Sequence, residues 1–283
     1  MKVQPELLIV EDDEYWIEHY CRILRNSPVA IFKAKTVAEA ANLIGRHYFA
    51  AVIADLELPG MKDRALGGFE VIEASKRRSN YTELLVITAH TENDILDRVA
   101  RASVGYITKP VNYRELAISA SSMVNSWTHR FDRVITILES FSGILPILQK
   151  RGHNKPAVAV ADEYDVQDLL HFLFKPLFPD VIVEEYTSKR AGKTKRLDLV
   201  FRSLETVIET KIVRTEDHGK KIADELDIDI RTYVSHPHCR RLVCFVYDPD
   251  HHINDPRTIE RDLSGEQSQD AKVIDVQVMI RPL

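Results

Sequence analysis

The first part of the chain alternates short apolar runs with amphipathic stretches. Residues 7–10, 51–54 and 84–87 are apolar runs of strand length, and 29–33 and 105–107 are weaker ones. Between them, residues 14–25, 36–45, the segment after Gly68, 92–101 and the stretch from Tyr113 carry apolar residues at helical spacing. Strands alternating with helices predict a doubly wound, five-stranded parallel sheet with helices on both faces. In such a sheet ligands gather at the carboxyl ends of the strands.

The middle of the chain is different. From Tyr113 to about residue 150 the pattern stays helical, with Leu116, Met123, Trp127, Phe131, Val134 and Leu138 among its apolar positions. These are too many for a solvated spacer, so a connecting helix or helix pair over 129–150 should pack on a domain. Pairing of two copies into a homodimer is the alternative. Residues 151–156 (RGHNKP) read as a linker. Beyond it, a helix is predicted over 165–174 and strands over 181–183, 197–201 and 206–213. A helix over 220–235, a buried strand over 242–247 and a final strand over 272–280 complete the set. The expected divisions are 1–127, 128–156 and 157–283, which makes the last a second α/β domain with a mixed sheet.

Length agrees with two domains: 283 residues is enough for two separate cores. A net charge of −5 argues against indiscriminate coating of nucleic acid but leaves room for a local basic groove. Cys21, Cys239 and Cys244 form neither a disulfide framework nor a metal-binding Cys-x-x-Cys pair. Residues 1–6 lead into the first strand without a signal-peptide pattern, and no stretch approaches a membrane span. The expected compartment is the cytoplasm, with no membrane partner.

Candidate chemistry falls where the first-part strands end. Glu11-Asp12-Asp13 follow the first strand, Asp55 the third, Thr88 ends the fourth and Lys109-Pro110 follow the fifth. Crowded carboxylates repel one another, and a hard divalent cation such as Mg²⁺ relieves the repulsion. Asp12 and Asp13, with Asp55, are the expected ligands. The Asp55 carboxylate can then attack an incoming phosphoryl group, with Lys109 paired to one of its oxygens and Thr88 donating to another. The runs 7–13, 51–60 (AVIADLELPG), 86–89 and 106–110 resemble the receiver domains of two-component response regulators. That resemblance implies phosphorylation of Asp55 by a sensor histidine kinase. It also implies a coupling role for Thr88 and Tyr106 and a cis Lys109–Pro110 bond. The loop over 59–68, with Lys62, Asp63 and Arg64, is longer than usual for the family and overhangs the acceptor.

The last part holds a second constellation. Asp198 lies in one predicted strand, and Glu209 and Lys211 lie on one face of the next. With 203–205 as a turn, an antiparallel hairpin brings Asp198 beside Glu209. Two carboxylates and a lysine suit phosphodiester hydrolysis. Asp198 and Glu209 are the expected ligands for Mg²⁺, with Mn²⁺ as an alternative, and Lys211 orients water or stabilises charge. Lys189, Arg190, Lys193, Lys195 and Arg196 crowd the preceding loop as a phosphate-backbone contact, and Gly192 permits close approach.

This pattern is similar to the PD-(D/E)XK nucleases. More narrowly, residues 162–170, 196–198 and 242–249 (LVCFVYDP) resemble the DpnII–MboI restriction endonuclease type. The resemblance implies an acidic residue from a preceding helix. Glu163 has inward-facing spacing, and Asp165 is the rival, with an N-cap role as its plain account. Glu184 and Glu185 are further acids near the site. Lys220 and Lys221 read as a solvated helix start. His236, His238, His251 and His252 do not have the spacing of a structural zinc site. The expected protein is a response regulator with a metal-dependent DNA endonuclease output. The alternative is a phosphorylation-switched nucleic-acid- or protein-binding regulator on an inactive nuclease fold.

Overall fold

In a computed structural model of the chain, the described residues are 3–58, 67–102, 104–150, 157–186, 195–234, 239–269 and 272–283, with backbone alone at 184–186 and 195–198. The chain divides into two compact units, Gln4–Arg130 and Phe131–Leu283.

The first unit runs β1 (Glu6–Val10), α1 (Glu14–Ile23), β2 (Ala30–Ala34), α2 (Val37–Arg46), β3 (Ala51–Asp55), α3 (Gly67–Arg78), β4 (Glu83–Thr88), α4 (Asn93–Arg101), β5 (Gly105–Thr108) and the start of α5 (Tyr113–Gln149). The sheet order is β2-β1-β3-β4-β5, and all four pairings are parallel. Alternation along β1 feeds two cores. Leu7 and Ile9 pack with Tyr20, Leu24, Leu116 and Met123, while Leu8 and Val10 pack with Ala40, Ile44 and Val71. Burial on both faces explains why β1 and β3 read as unbroken apolar runs. The strand order reverses between β1 and β3, which places the crevice at the ends of those two strands.

The boundary between the units falls inside α5. Residues 128–150 therefore do not stand as a separate connector: they continue the helix, and from Phe131 onward they belong to the second unit. Val134, Leu138, Phe141 and Leu145 are buried at helical spacing. Phe141 packs edge-on against Phe245 and Tyr247 at 5.4 and 5.5 Å. The linker expected at 151–156 lies outside the described residues.

The second unit continues with α6 (Glu163–Phe174), β6 (Val181–Tyr186), β7 (Lys195–Phe201), a 3-10 turn (Arg202–Leu204), β8 (Thr206–Ile212), α7 (Glu216–Gly219), α8 (Ile222–Val234), β9 (Arg241–Tyr247), α9 (Pro256–Leu263), β10 (Gly265–Gln269) and β11 (Lys272–Arg281). Its mixed sheet has the order β10-β11-β9-β8-β7-β6. Strands β6, β7 and β8 form an antiparallel meander, and β8, β9 and β11 are parallel. Leu242, Cys244 and Val246 of β9 share a core with Ile222, Leu226, Ile230 and Tyr233 of α8. On α6, Phe174 meets Phe201 at 4.9 Å, with Phe178 against the same ring at 5.2 Å.

Candidate functional site

In the first unit, Asp55 ends β3 and is 5 % exposed. Its Oδ2 accepts from Lys109 Nζ at 2.7 Å and its Oδ1 from the Glu57 backbone N–H at 3.2 Å. Lys109 also donates to Glu11 Oε2 at 2.9 Å, and the Tyr20 hydroxyl donates to the same oxygen at 3.4 Å. The Trp16 ring lies 5.2 Å from the ammonium. Burial, helped by the Asp55 charge and opposed by Lys109, pushes the Glu11 carboxyl up to about 7. Burial also works against the Lys109 charge, but its bonds to Asp55 and Glu11 overrule it and hold the ammonium above its ordinary range.

The acidic group differs from the expected one by one member. Among the described residues, Glu11, Asp12 and Asp55 bring carboxylate oxygens within 4.8 Å of one another. Asp13 instead caps α1, its Oδ1 accepting from the Tyr15 backbone N–H at 2.9 Å. The helix start at Glu14, read from the sequence, already put Asp13 at the N-cap position, so this signal was available.

Thr88 is fully buried at the end of β4, and its Oγ1 accepts from the His90 backbone N–H at 3.1 Å. Tyr106 sits on β5 opposite Val86, 44 % exposed. The Lys109–Pro110 bond is cis. Gly68 is needed at its position, because a Cβ there would stand 2.3 Å from the Asp55 carbonyl oxygen. One neighbour was missed in the sequence: His90 bridges Glu57 at 2.9 Å and Glu92 at 3.0 Å. The loop over 59–66 lies outside the described residues.

In the second unit the centre is Lys211. Its ammonium bonds Glu209 Oε1, lies 3.1 Å from Glu163 Oε1 and 3.0 Å from Asp229 Oδ2. Tyr233 donates its hydroxyl to the other Glu209 oxygen. Glu209 and Asp229 are buried, while the Glu163 side chain is partly exposed. Burial lowers the tendency of Lys211 to hold a proton, but Glu209, Glu163 and Asp229 together outweigh it and raise its affinity. Burial raises the Glu163 carboxyl even against the pull of Lys211.

The register of the hairpin, Leu199 opposite Ile208, sets Asp198 across from Glu209 when continued by one pair. Of the two helix acids, Glu163 reaches Lys211. Asp165 instead completes a capping box with Asp162: its backbone N–H donates to Asp162 Oδ1 at 3.1 Å, and its own carboxylate accepts from the Asp162 N–H at 3.3 Å. Asp229 and Tyr233 were not singled out in the sequence. They sit on an amphipathic helix, where their spacing looks like that of any buried stripe.

The other expectations divide. Lys189, Arg190, Gly192, Lys193, His236 and His238 lie outside the described residues, and Glu184, Glu185, Lys195 and Arg196 are placed by backbone alone on β6 and β7. Lys220 and Lys221 are exposed, Lys220 pairing with Asp217 at 3.4 Å. Among the described residues no histidine joins a metal-binding group. The acid of the 242–249 run, Asp248, is structural: its carboxylate accepts from the His252 and Ile253 backbone N–H groups, both at 2.9 Å.

The first fold and its acidic pocket define a receiver domain. The second, with Asp198, Glu209 and Lys211 on a β-hairpin beside a helix acid, defines a domain of restriction-endonuclease type. Comparison with known families agrees. Residues 7–120 match the response regulator receiver domain, and residues 132–283 match the DpnII-MboI restriction endonuclease family. The chain belongs to the DpnII-MboI restriction endonuclease family and carries a receiver domain ahead of the nuclease-type domain.

Among curated relatives, the transcriptional regulatory protein PmrA of Pectobacterium parmentieri is 34% identical over 123 residues, 42% of this chain and 52% of the relative. The aerobic respiration control protein ArcA of Escherichia coli K12 is 28% identical over 124 residues, 43% of this chain and 49% of the relative. The chain thus spans about half the length of the curated relatives it matches. Among solved structures, the signal receiver domain of a Luxo repressor protein from Vibrio parahaemolyticus is 23% identical with a TM-score of 0.41, covering 47% of this chain and 98% of its own. The HemR receiver domain from Leptospira biflexa is 28% identical with a TM-score of 0.38, covering 43% and 94%.

Proposed function

We propose that the protein is a response regulator in which Asp55 takes a phosphoryl group from a sensor histidine kinase, and whose second domain is a divalent-metal-dependent DNA endonuclease. The observation that carries this reading is the convergence on Lys211 of Glu209, Glu163 and Asp229, with Asp198 at the register position opposite Glu209. Around the ammonium, three carboxylates face one positive charge. These carboxylates are hard oxygen donors, a set suited to Mg²⁺ or Mn²⁺.

Asp198 and Glu209 would hold the cation in the second domain, and Glu11, Asp12 and Asp55 would hold Mg²⁺ in the receiver. Bound there, the metal supplies neutralisation of phosphate charge and, in the nuclease, acidification of a water. The protein's own groups do the rest. Lys211 is placed to orient the attacking water or meet charge on the scissile phosphate. In the receiver, the Asp55 carboxylate attacks phosphorus and the bond to the donor's leaving group breaks. Lys109 is freed from Asp55 to pair with a phosphoryl oxygen. Phosphorylation then biases the receiver between two arrangements, with Thr88 and Tyr106 as the coupling residues.

DNA and a sensor kinase are the proposed partners, with the basic residues 189–196 as the DNA contact. The cytoplasm is the proposed compartment. Among the described residues no helix is long and apolar enough to cross a membrane. The test is cleavage of plasmid and phage DNA with Mg²⁺ or Mn²⁺ by the wild type and Glu209→Ala, each with and without an acyl-phosphate donor. Cleavage that Glu209→Ala abolishes and the donor alters is expected. A wild type inert under every condition, yet binding DNA, would move the reading to a binding platform on a nuclease fold.

A further inference from the structure

Helix α8 carries two polar side chains on its buried face, and each reaches one residue of the Glu209–Lys211 pair on β8. Asp229 lies 3.0 Å from Lys211 Nζ, and Tyr233 donates to Glu209 Oε2. The geometry has a simple origin. Residues four apart on a helix are separated by about 6 Å along its axis. Residues two apart on a strand are separated by about 6.6 Å. Where α8 packs on the sheet, it can therefore present positions 229 and 233 to positions 211 and 209, one to one.

A purely structural account of Asp229 is that it neutralises a buried lysine. Lys211 already has two other carboxylates, Glu209 and Glu163. A third adds negative charge to a buried site, which is costly unless the charge has a use. Asp229 also interrupts an apolar stripe, with Leu226 and Ile230 buried around it. An aliphatic residue there would complete the core. Tyr233 is a large, fully buried side chain whose hydroxyl could point elsewhere along the core, yet it meets the carboxylate oxygen that Lys211 leaves.

We propose that Asp229 and Tyr233 are positioning residues of the nuclease site: Asp229 fixes the Lys211 ammonium and Tyr233 fixes the Glu209 carboxylate, so that α8 sets the geometry of the Glu-x-Lys pair. This rests on the nuclease reading above. Neither residue touches the DNA. Each acts by holding a group that meets the metal or the DNA, and small misplacements of reacting groups are enough to cost about a hundredfold in rate.

The test uses the full chain with Asp229→Ala, Asp229→Asn, Tyr233→Phe and, as a control on the exposed face of α8, Asp227→Asn. Two readouts are taken. One is metal-dependent cleavage, separated into kcat and KM. The other is the nitrogen-detected signal of the Lys211 ammonium, assigned by its loss in Lys211→Met. The expected result is a kcat lower by about ten- to a hundredfold with KM within twofold. Asp229→Asn, which keeps an acceptor, should retain more activity than Asp229→Ala, and Asp227→Asn should match the wild type. The Lys211 signal should shift or broaden in both Asp229 variants. A folded Asp229→Asn or Tyr233→Phe protein with wild-type kcat, or an Asp229→Asn protein with an unmoved Lys211 signal, overturns the proposal. If the wild type cleaves nothing, the nuclease reading fails by itself, and the ammonium signal alone decides whether Asp229 positions Lys211.

Discussion

Lys109 holds the Asp55 carboxylate at 2.7 Å, so the proposed phosphoacceptor rests in an ion pair that phosphoryl transfer would have to open. The same ammonium serves Glu11 at 2.9 Å. Removing it leaves two buried acids facing each other. We predict that Lys109→Ala costs about 3–5 kcal/mol, the usual result of stripping one partner from a buried ion pair. Mg²⁺ should restore more stability to the variant than it adds to the wild type. Chemical denaturation with and without Mg²⁺ measures both. An equal effect of Mg²⁺ on the two proteins would count against the acidic group as a cation site.

Glu11 gives a pH dependence with a definite sign. Its carboxyl titrates near 7 when folded, against 4.5 as its ordinary value. Between those values the folded chain binds a proton that the unfolded chain releases, so this group's contribution to stability falls as pH rises from 4.5 to 7. Above 7 the full penalty applies, up to about 3 kcal/mol. We predict that Glu11→Gln gains stability relative to the metal-free wild type at pH 8 and loses that advantage at pH 4.5. Melting curves across that range test it, and a difference independent of pH would contradict the assignment.

In the second unit, Lys211→Met removes the cation that Glu209, Glu163 and Asp229 share. We expect a loss of about 3–5 kcal/mol in metal-free buffer. Cleavage should be lost as well. Urea unfolding would reveal the first effect and a gel assay the second.

Gly68→Ala probes backbone packing at the acceptor. The added methyl would stand 2.3 Å from the Asp55 carbonyl oxygen and 2.7 Å from the Leu56 Cα. Backbone cannot rotate away as a side chain does, so we predict destabilisation of about 1–3 kcal/mol. Slower phosphorylation by an acyl-phosphate donor should accompany it, read by the mass of the intact chain. Unchanged stability and rate would mean that α3 shifts freely.

What the sequence could reveal follows the kind of interaction involved. Periodicity exposed every strand except β10, because burial on two faces leaves unbroken apolar runs such as β1 and β9, while the polar β10 leaves none. It also put Glu209 and Lys211 on one face, since side-chain alternation is a property of the strand alone. The partners of Lys211 on α8 were not readable in this way. Asp229 and Tyr233 acquire their meaning only when α8 packs on the sheet and its side chains reach β8, a tertiary fact that no local pattern encodes. Asp13 is a case of a different kind. Three adjacent acids compete for one site, and the start of α1 takes the third as its cap, leaving Glu11 beside Asp55. The length of α5 was also hidden, because a continuous helix and a helix pair share the same apolar spacing.

The hairpin of β7 and β8 has one more consequence. Asp198 comes opposite Glu209 only by continuing the pairing that begins at Phe201 and Thr206. Adding or deleting one residue of β8 between Thr206 and Ile208 would turn everything beyond it to the opposite side of the sheet. Glu209 and Lys211 would then point at the aromatic layer of Phe174 and Phe201. Chemistry at this site thus depends on parity: a substitution along the hairpin changes one side chain, whereas a single-codon insertion removes the whole constellation at once. Single-residue insertions between Thr206 and Ile208 should therefore abolish cleavage, read by a gel assay.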